Sequence, residues 1–157
     1  MAGILPGMIS MKDNCFVDTN ILVYFRDASE PEKQKISGEW LKTLWENQRG
    51  RISIQVLNEY YVTVTQKLKP GMTTSHARLD IKNLMAWHPV PVDLTIIKNS
   101  WSIQDTYQFS WWDSLIVAAA IKANCSLLLS EDLQHGQQIH DLTIINPFQQ
   151  DARQMLS

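Results

Sequence analysis

Cysteine is scarce in this sequence, and the patterns that usually accompany functional cysteines are missing. Cys15 and Cys125 are the only two, and neither belongs to a CxxC or a Cys/His metal-binding spacing. We expect both to be buried, reduced thiols of a cytoplasmic protein, which excludes a disulfide scaffold and a cysteine-based zinc site.

Long apolar runs are missing as well. The longest, residues 115–121, falls far short of the roughly 20 residues that span a bilayer. The start of the chain lacks the basic leader of a signal peptide, and residues 1–12 are predicted to form a flexible N-terminal extension. The sequence therefore predicts a protein that neither spans a membrane nor is exported.

A basic excess is the third absence. The chain has 14 Lys and Arg against 16 Asp and Glu, with a net charge of −2. Nucleic-acid-binding proteins commonly carry a basic surface, so such a partner would have to be held by a local patch or through metal. The 157 residues, 45% hydrophobic and 19% charged, suit one folded domain with a single core.

Short apolar strands alternate with helical patterns along the chain. This alternation predicts an α/β layer fold around a mostly parallel sheet. The segment from residue 112 to 123 is apolar on every face, so that helix should be buried. Asp18, Thr19 and Asn20 are predicted to form a turn. Strands are predicted at 15–17, 51–54, 127–129 and 142–145, and helices at 31–48, 55–68, 73–87, 94–107 and 112–123.

Four acids stand in apolar surroundings, where a carboxylate is unfavourable unless it is paired or binds a cation. Asp18 ends the first strand and Asp132 follows a late one, so both should lie at the carboxyl edge of the sheet, where such folds bind ligands. Asp113 opens the buried helix. Glu59 lies mid-helix between valines and is expected to lean inward.

Taken singly, three of these acids have structural explanations. Asp18 can cap a helix, Asp113 can complement a helix dipole, and Asp132 can belong to a turn; Glu59 has no capping role. Two bare carboxylates about 4 Å apart repel by roughly 4 kcal/mol at an effective dielectric near 20. A converging set therefore indicates a site for divalent cations such as Mg²⁺ or Mn²⁺, which prefer oxygen ligands and stabilise charge on phosphates.

The segments around these acids resemble a known family. FVDTNILVYF, VLNEYYVTV, WWDSLIVAAAI and LLLSEDLQHG, in this order, are similar to the PIN-domain nucleases, and most closely to the VapC-type toxins of bacterial toxin–antitoxin pairs. The similarity runs from about Cys15 to Phe148. It implies a three-layer α/β/α sandwich with a central, mostly parallel sheet, and one PIN-like domain over residues 1–157.

The resemblance also implies an activity: Mg²⁺- or Mn²⁺-dependent hydrolysis of RNA phosphodiester bonds by an endoribonuclease. Asp18, Glu59 and Asp113 match the three core acids, and Asp132 matches a fourth, more variable one. Asp18 and Asp113 would hold the metal, and Glu59 and Asp132 would complete its shell or hold a second ion through water. The family commonly forms homodimers and is neutralised by a small antitoxin. Three further positions match polar residues that orient the carboxylates or the phosphate: Thr19, Asn20 and Ser130.

Other readings of the sequence stay open. The same fold could serve RNA processing or DNA cleavage outside a toxin system, or a non-catalytic module that binds RNA or protein. A phosphoaspartate enzyme is disfavoured because Asn20 stands where a phosphatase has its second aspartate. Trp111 and Trp112 could stack on a base or belong to the core. His135 could approach the phosphate or lie in a surface loop.

Overall fold

The computed structural model of the protein describes residues 13–150. The expectation of a flexible extension at residues 1–12 lies outside that range. A five-stranded sheet forms the centre, with strand order β2-β1-β3-β5-β4. All neighbouring strands pair in parallel except β4, which is antiparallel to β5. The strands are β1 (Asn14–Val17), β2 (Gly50–Arg51), β3 (Cys125–Leu129), β4 (Gln138–Ile139) and β5 (Leu142–Ile145).

Within the described range, six α-helices connect these strands. The connection from β1 to β2 contains α1 and α2, and that from β2 to β3 contains α3 to α6. Helix α1 packs against α2 and α3, whereas α6 packs against α5 and β3. The predicted α/β/α fold with a mostly parallel sheet is confirmed. The helices are α1 (Thr19–Phe25), α2 (Pro31–Glu46), α3 (Ile54–Val62), α4 (Thr74–Leu84), α5 (Leu94–Tyr107) and α6 (Trp111–Lys122).

The core surrounds the three longer strands, which α6 covers on one side and to which buried residues of α1, α2 and α3 also contribute. In α6 every residue from 114 to 120 is buried, and β1, β3 and β5 are almost wholly buried. This confirms the prediction from the uniformly apolar sequence of α6. Among the described residues, 13–150, no helix is both long and apolar enough to cross a bilayer.

Several predicted boundaries are wrong for local reasons. Asp18 begins a helix rather than a turn, because it caps α1. The strand predicted at 51–54 ends at Arg51, because the Ser53 hydroxyl accepts a hydrogen bond from the Val56 amide and starts α3. Strand β4 was not predicted. The helix predicted at 55–68 leaves α geometry after Val62 and continues as a π-helical segment, Thr63–Lys67.

Candidate active site

Asp18 lies at the carboxyl edge of the sheet, between two neighbouring strands. It follows β1, and Val17 pairs with Leu129 of β3, so Asp18 and Ser130 leave the sheet side by side. The Ser130 hydroxyl donates to Asp18 Oδ2 at 2.8 Å, and the Thr19 amide donates to Oδ1 at 2.7 Å. Only 6% of Asp18 is exposed. The carboxylate is therefore held at both oxygens in a largely dry position.

Asn20 connects Asp18 to Asp132. Its amide nitrogen donates to Asp132 Oδ2 at 3.0 Å and lies 3.4 Å from Asp18 Oδ2. Its oxygen accepts from the Glu131 amide at 3.3 Å. The Ser130 hydroxyl also accepts from the Asp132 amide at 3.1 Å. Asn20 and Ser130, predicted as supporting residues, thus bond directly to candidate catalytic acids.

Thr19 supports Asp18 through its backbone rather than its side chain. Its amide makes the bond to Asp18, while its buried hydroxyl has no hydrogen-bond partner among residues 13–150.

Asp113 and Glu59 face the same space from two helices. Asp113 lies in the first turn of α6, where the Ser110 hydroxyl accepts from its amide at 3.1 Å. Glu59 is in the middle of α3 and is hydrogen-bonded by the Gln55 side chain one turn earlier. The Gln55 amide nitrogen also lies 3.4 Å from the Trp112 carbonyl, which ties α3 to α6.

The inward orientation predicted for Glu59 is wrong. Val56 is buried, but Val62 is 40% exposed, and Glu59 itself is exposed. A valine three residues later therefore does not mark the inner face here. Glu59 stands at the open side of the site rather than within the core.

Electrostatic repulsion shows which acids the fold brings together. Burial and then the charges of Asp132 and Glu59 raise the pKa of Asp18 to about 7, against the hydrogen bonds from Ser130 and Thr19. Glu59 is exposed at the residue level, but partial desolvation of its carboxylate and the charges of Asp113 and Asp132 raise its pKa, against the hydrogen bond from Gln55. Burial and the Asp132 charge raise the pKa of Asp113. All four predicted acids interact, and no Lys or Arg from the described part of the chain lowers these three pKa values.

The donor set suits a hard divalent cation. Carboxylate oxygens are the ligands that Mg²⁺ and Mn²⁺ prefer. Burial, and to a smaller extent the charges of Asp132 and Glu59, raise the pKa of Asp18, and a cation at this position would offset both effects. Within residues 13–150, no group of three or more His, Cys, Asp or Glu side chains is arranged to hold a metal ion. Mg²⁺ commonly binds one or two carboxylates and keeps several waters. A site of that kind fits these residues.

Three other residues add to the description of the site: one was not predicted, and for two the sequence left alternatives open. Gln55, 8% exposed and bonded to both Glu59 and Trp112, was not predicted; a glutamine four residues before a helical acid was the available signal. Trp112 is 63% exposed beside Asp113. His135 accepts a hydrogen bond from the Asn146 amide at 2.9 Å, which gives it a structural role in its loop.

Comparison with known proteins agrees with this geometry. The family model described as PIN domain matches residues 15–137. The chain belongs to the PIN-domain family. Two solved structures share this PIN fold. A toxin–antitoxin complex from Klebsiella pneumoniae has a TM-score of 0.62 at 16% identity, covering 85% of this chain and 98% of its own.

The second is VapC20 of Mycobacterium tuberculosis, described as a sarcin–ricin-loop-cleaving toxin. It has a TM-score of 0.53 at 17% identity, covering 73% of this chain and 87% of its own. At such identities the likeness concerns the fold. None of the curated proteins matches the sequence significantly.

Proposed function

We propose that this PIN-domain protein is a metal-dependent endoribonuclease that hydrolyses RNA phosphodiester bonds, and that it is the toxin of a type II toxin–antitoxin system. The observation that carries the proposal is the buried Asp18 carboxylate, which has a pKa raised to about 7 and interacts with Asp132 and Glu59 at the carboxyl edge of the sheet. Membership of the PIN family, and the like fold of a chain in a toxin–antitoxin complex and of the VapC20 toxin, support it.

The catalytic roles follow from where each acid stands. Asp18 and Asp113 would hold Mg²⁺ or Mn²⁺, and Glu59 and Asp132 would complete the shell or hold a second ion through water. When bound, the cation would stabilise negative charge on the phosphate and make water more acidic. Ser130 fixes Asp18, and Asn20 fixes Asp132.

Glu59 is the acid best placed to take up a proton. It is exposed, so water and substrate reach it, and its raised pKa makes the carboxylate more basic. We propose that Glu59 accepts the proton that the attacking water releases. The Gln55 side chain, one turn earlier on α3, lowers the pKa of Glu59, so it favours the charged carboxylate. The backbone amide of Thr19 donates to Asp18 Oδ1 and so fixes the orientation of the Asp18 carboxylate.

An antitoxin has a suitable surface on this chain. A groove of about 660 Å³ runs between α1, α2 and α4, with apolar walls that include Leu22, Phe25 and Trp87. Charges of both signs border it, among them Arg26 and Asp80, which form an ion pair at 2.6 Å. Such a groove suits the apolar face of a partner segment.

A homodimer is also part of the proposal. Ile54, Val92 and Trp112 are exposed and line a cavity of about 450 Å³ beside Glu59. Exposed apolar side chains grouped in this way favour contact with another chain.

We further propose that residues 1–157 form one domain and that the protein acts in the cytoplasm, where its RNA substrate is.

Cleavage of total RNA by the purified full-length protein tests the proposal. We expect discrete fragments with Mg²⁺ or Mn²⁺, none with EDTA, and none from an Asp18→Ala/Asp113→Ala variant. Asp105→Asn is the matched control, because Asp105 is an exposed acid on α5. Cleavage that survives loss of both acids would reject the assignment. No cleavage by folded, antitoxin-free protein with either metal would favour a binding module.

A further inference from the structure

The residue before Asp132 is also acidic, but its carboxylate is engaged elsewhere. Glu131 Oε1 accepts from the Tyr24 hydroxyl at 2.7 Å, and Oε2 accepts from Lys33 Nζ at 2.7 Å. Although burial works in the opposite direction, hydrogen bonds from Lys33 and Tyr24 lower the pKa of Glu131. Glu131 is not among the charges that raise the pKa values of Asp18, Glu59 or Asp113.

Lys33 is held in turn by two aromatic rings. Its Nζ lies 4.8 Å from the Tyr24 ring centroid and 5.2 Å from that of Phe148, and the two rings pack edge to face at 5.4 Å. The side chains of Lys33 and Glu131 are 35% and 26% exposed. Partial shielding and contact with the aromatic faces make this pair stronger than an ordinary surface ion pair. We call Tyr24, Lys33, Glu131 and Phe148 the Lys33 clamp.

The clamp joins four separate parts of the chain. Tyr24 belongs to α1, Lys33 to the first turn of α2, Glu131 follows β3, and Phe148 follows β5. The backbone of Glu131 continues the connection toward the acids, because its amide donates to the Asn20 oxygen at 3.3 Å. The same Asn20 side chain donates to Asp132 Oδ2. Fixing Glu131 therefore also fixes the peptide that presents Asp132.

We propose that Lys33 and Glu131 are positioning residues that hold the chain after β3 so that Asp132 faces the other acids, and that they thereby set the affinity of the site for Mg²⁺ or Mn²⁺. The identity of the cation rests on the proposed function. Residues that orient metal-binding groups typically change metal affinity or activity 10- to 100-fold when they are replaced.

Mn²⁺ binding to the purified full-length protein tests the clamp without any RNA. Lys33→Met keeps the apolar stem and removes the charge, so we expect about tenfold weaker Mn²⁺ binding, measured by electron paramagnetic resonance of the free ion. Lys33→Arg restores the charge and should bind like the wild type. Lys42→Met is the matched control on α2, because Lys42 and Glu46 are 4.0 Å apart and 77% and 62% exposed.

A double-mutant cycle separates positioning from general stabilisation. If Lys33 acts through Asp132, Lys33→Met should weaken Mn²⁺ binding in the wild type but not in an Asp132→Asn background. In metal-free protein, the amides of residues 131 and 132 should exchange hydrogen faster in Lys33→Met than in Lys42→Met. Equal losses in both backgrounds, or unchanged affinity in a folded variant, would overturn the proposal. If Lys33→Met does not fold, Tyr24→Phe removes one bond to Glu131 and should show a smaller loss.

The failure of this proposal is distinguishable from that of the nuclease assignment. If the wild-type protein binds Mn²⁺ but cuts no RNA, the nuclease assignment is rejected. The Mn²⁺ affinities of the clamp variants would still test whether Lys33 and Glu131 position Asp132. A wild-type protein that binds no Mn²⁺ would overturn the clamp proposal itself.

Discussion

The side-chain nitrogen of Asn20 lies 3.0 Å from Asp132 Oδ2, although 112 positions separate the two residues in the sequence. The bond links the first turn of α1 to the loop after β3. It spans the carboxyl edge of the sheet, where the acids converge. Asn20 is therefore the residue through which Asp18 and Asp132 are oriented together, since the same nitrogen also faces Asp18 Oδ2 at 3.4 Å.

Replacing Asn20 should impair the site more than the fold. Asn20→Ala removes the donor to Asp132 and the acceptor for the Glu131 amide, so we expect RNA cleavage to fall by about 10- to 100-fold. Asn58→Ala is the control, because Asn58 is an exposed amide whose side chain bonds, within residues 13–150, only to the Ile54 carbonyl. Cleavage rates and thermal unfolding should be measured together. An equal loss of activity in both variants would contradict this role.

Metal-free protein should lose stability as the pH rises from about 4 to about 7. The unfolded chain releases the Asp18 proton near the ordinary pKa of 3.8, whereas the folded protein keeps it to about 7. Between these values the folded state binds more protons, so raising the pH favours unfolding. At 1.36 kcal/mol per pKa unit, the loss from Asp18 is at most about 4 kcal/mol.

Asp18→Asn should flatten this pH dependence. Urea unfolding in EDTA at about pH 5 and about pH 8 measures the free energy of unfolding on both sides of the transition. The variant should be the more stable protein at the higher pH, because it carries no buried charge. If the free energy of unfolding changes by the same amount between the two pH values in wild type and variant, Asp18 does not dominate the pH dependence of stability.

Mn²⁺ should restore the stability that the protein loses at neutral pH because the buried Asp18 carboxylate is charged. A ligand present at 100 times its Kd stabilises the folded state by about 2.7 kcal/mol, and for a domain of this size that raises Tm by several degrees. We expect the rise in the wild type and a much smaller one in Asp18→Asn. Scanning calorimetry with and without Mn²⁺ provides the comparison. An equal rise in both proteins would place the ion elsewhere.

Glu59→Gln should abolish cleavage while the fold stays intact or becomes slightly more stable. Glu59 is exposed, so its removal leaves no cavity, and the neutral amide relieves repulsion from Asp113 and Asp132. Glu39→Gln, at another exposed glutamate, is the control. RNA cleavage and thermal unfolding should be followed in the same preparations. Near-normal cutting by Glu59→Gln would remove Glu59 from the mechanism.

Ser130→Ala should move the pH dependence of activity to higher pH. The Ser130 hydroxyl lowers the pKa of Asp18, so without it the acid keeps its proton to a higher pH and the acidic limb of the rate profile shifts upward. Ser126→Ala in β3, the strand that precedes Ser130, is the control, since its buried hydroxyl has no hydrogen-bond partner among the described residues. A profile that does not move would show that Ser130 does not tune Asp18.

Local signals made much of the fold predictable. The helix predicted at 94–107 has those bounds in the structure because Asp93 caps it and its apolar spacing is regular. Strand β4 was missed because it has two residues and exists only through its pairing with Leu142–Ile145. The short strand β2 requires glycine at position 50, because a Cβ atom there would collide with the Trp87 ring. Such contacts form between distant segments and leave no periodic pattern.

The site was predictable only in part, for the same reason. Residues at the ends of neighbouring parallel strands, such as Asp18 and Ser130, could be expected to meet. Lys33 could not, because its partner Glu131 lies 98 positions away and nothing local marks it. The link from Gln55 to Trp112, 57 positions away, has no local signal either, although the spacing of four residues from Gln55 to Glu59 is one. The outward position of Glu59 was mispredicted because an exposed valine follows it at helical spacing. Such exposure is common at functional sites, where solvent must enter.

The register between β1 and β3 limits how this chain can change length. Asp18 and Ser130 meet because each follows a paired residue, Val17 and Leu129, and the Asp18 amide bonds to the Leu129 carbonyl at 3.0 Å. Deleting one residue from the regularly paired parts of the strands, 15–17 or 127–129, would turn the later side chains of that strand to the opposite face. The acid would then be separated from its hydroxyl. Insertions between α3 and α4 would leave this ladder untouched. Insertions and deletions in functional relatives of this sequence should therefore occur in the helical connections and not in β1 and β3.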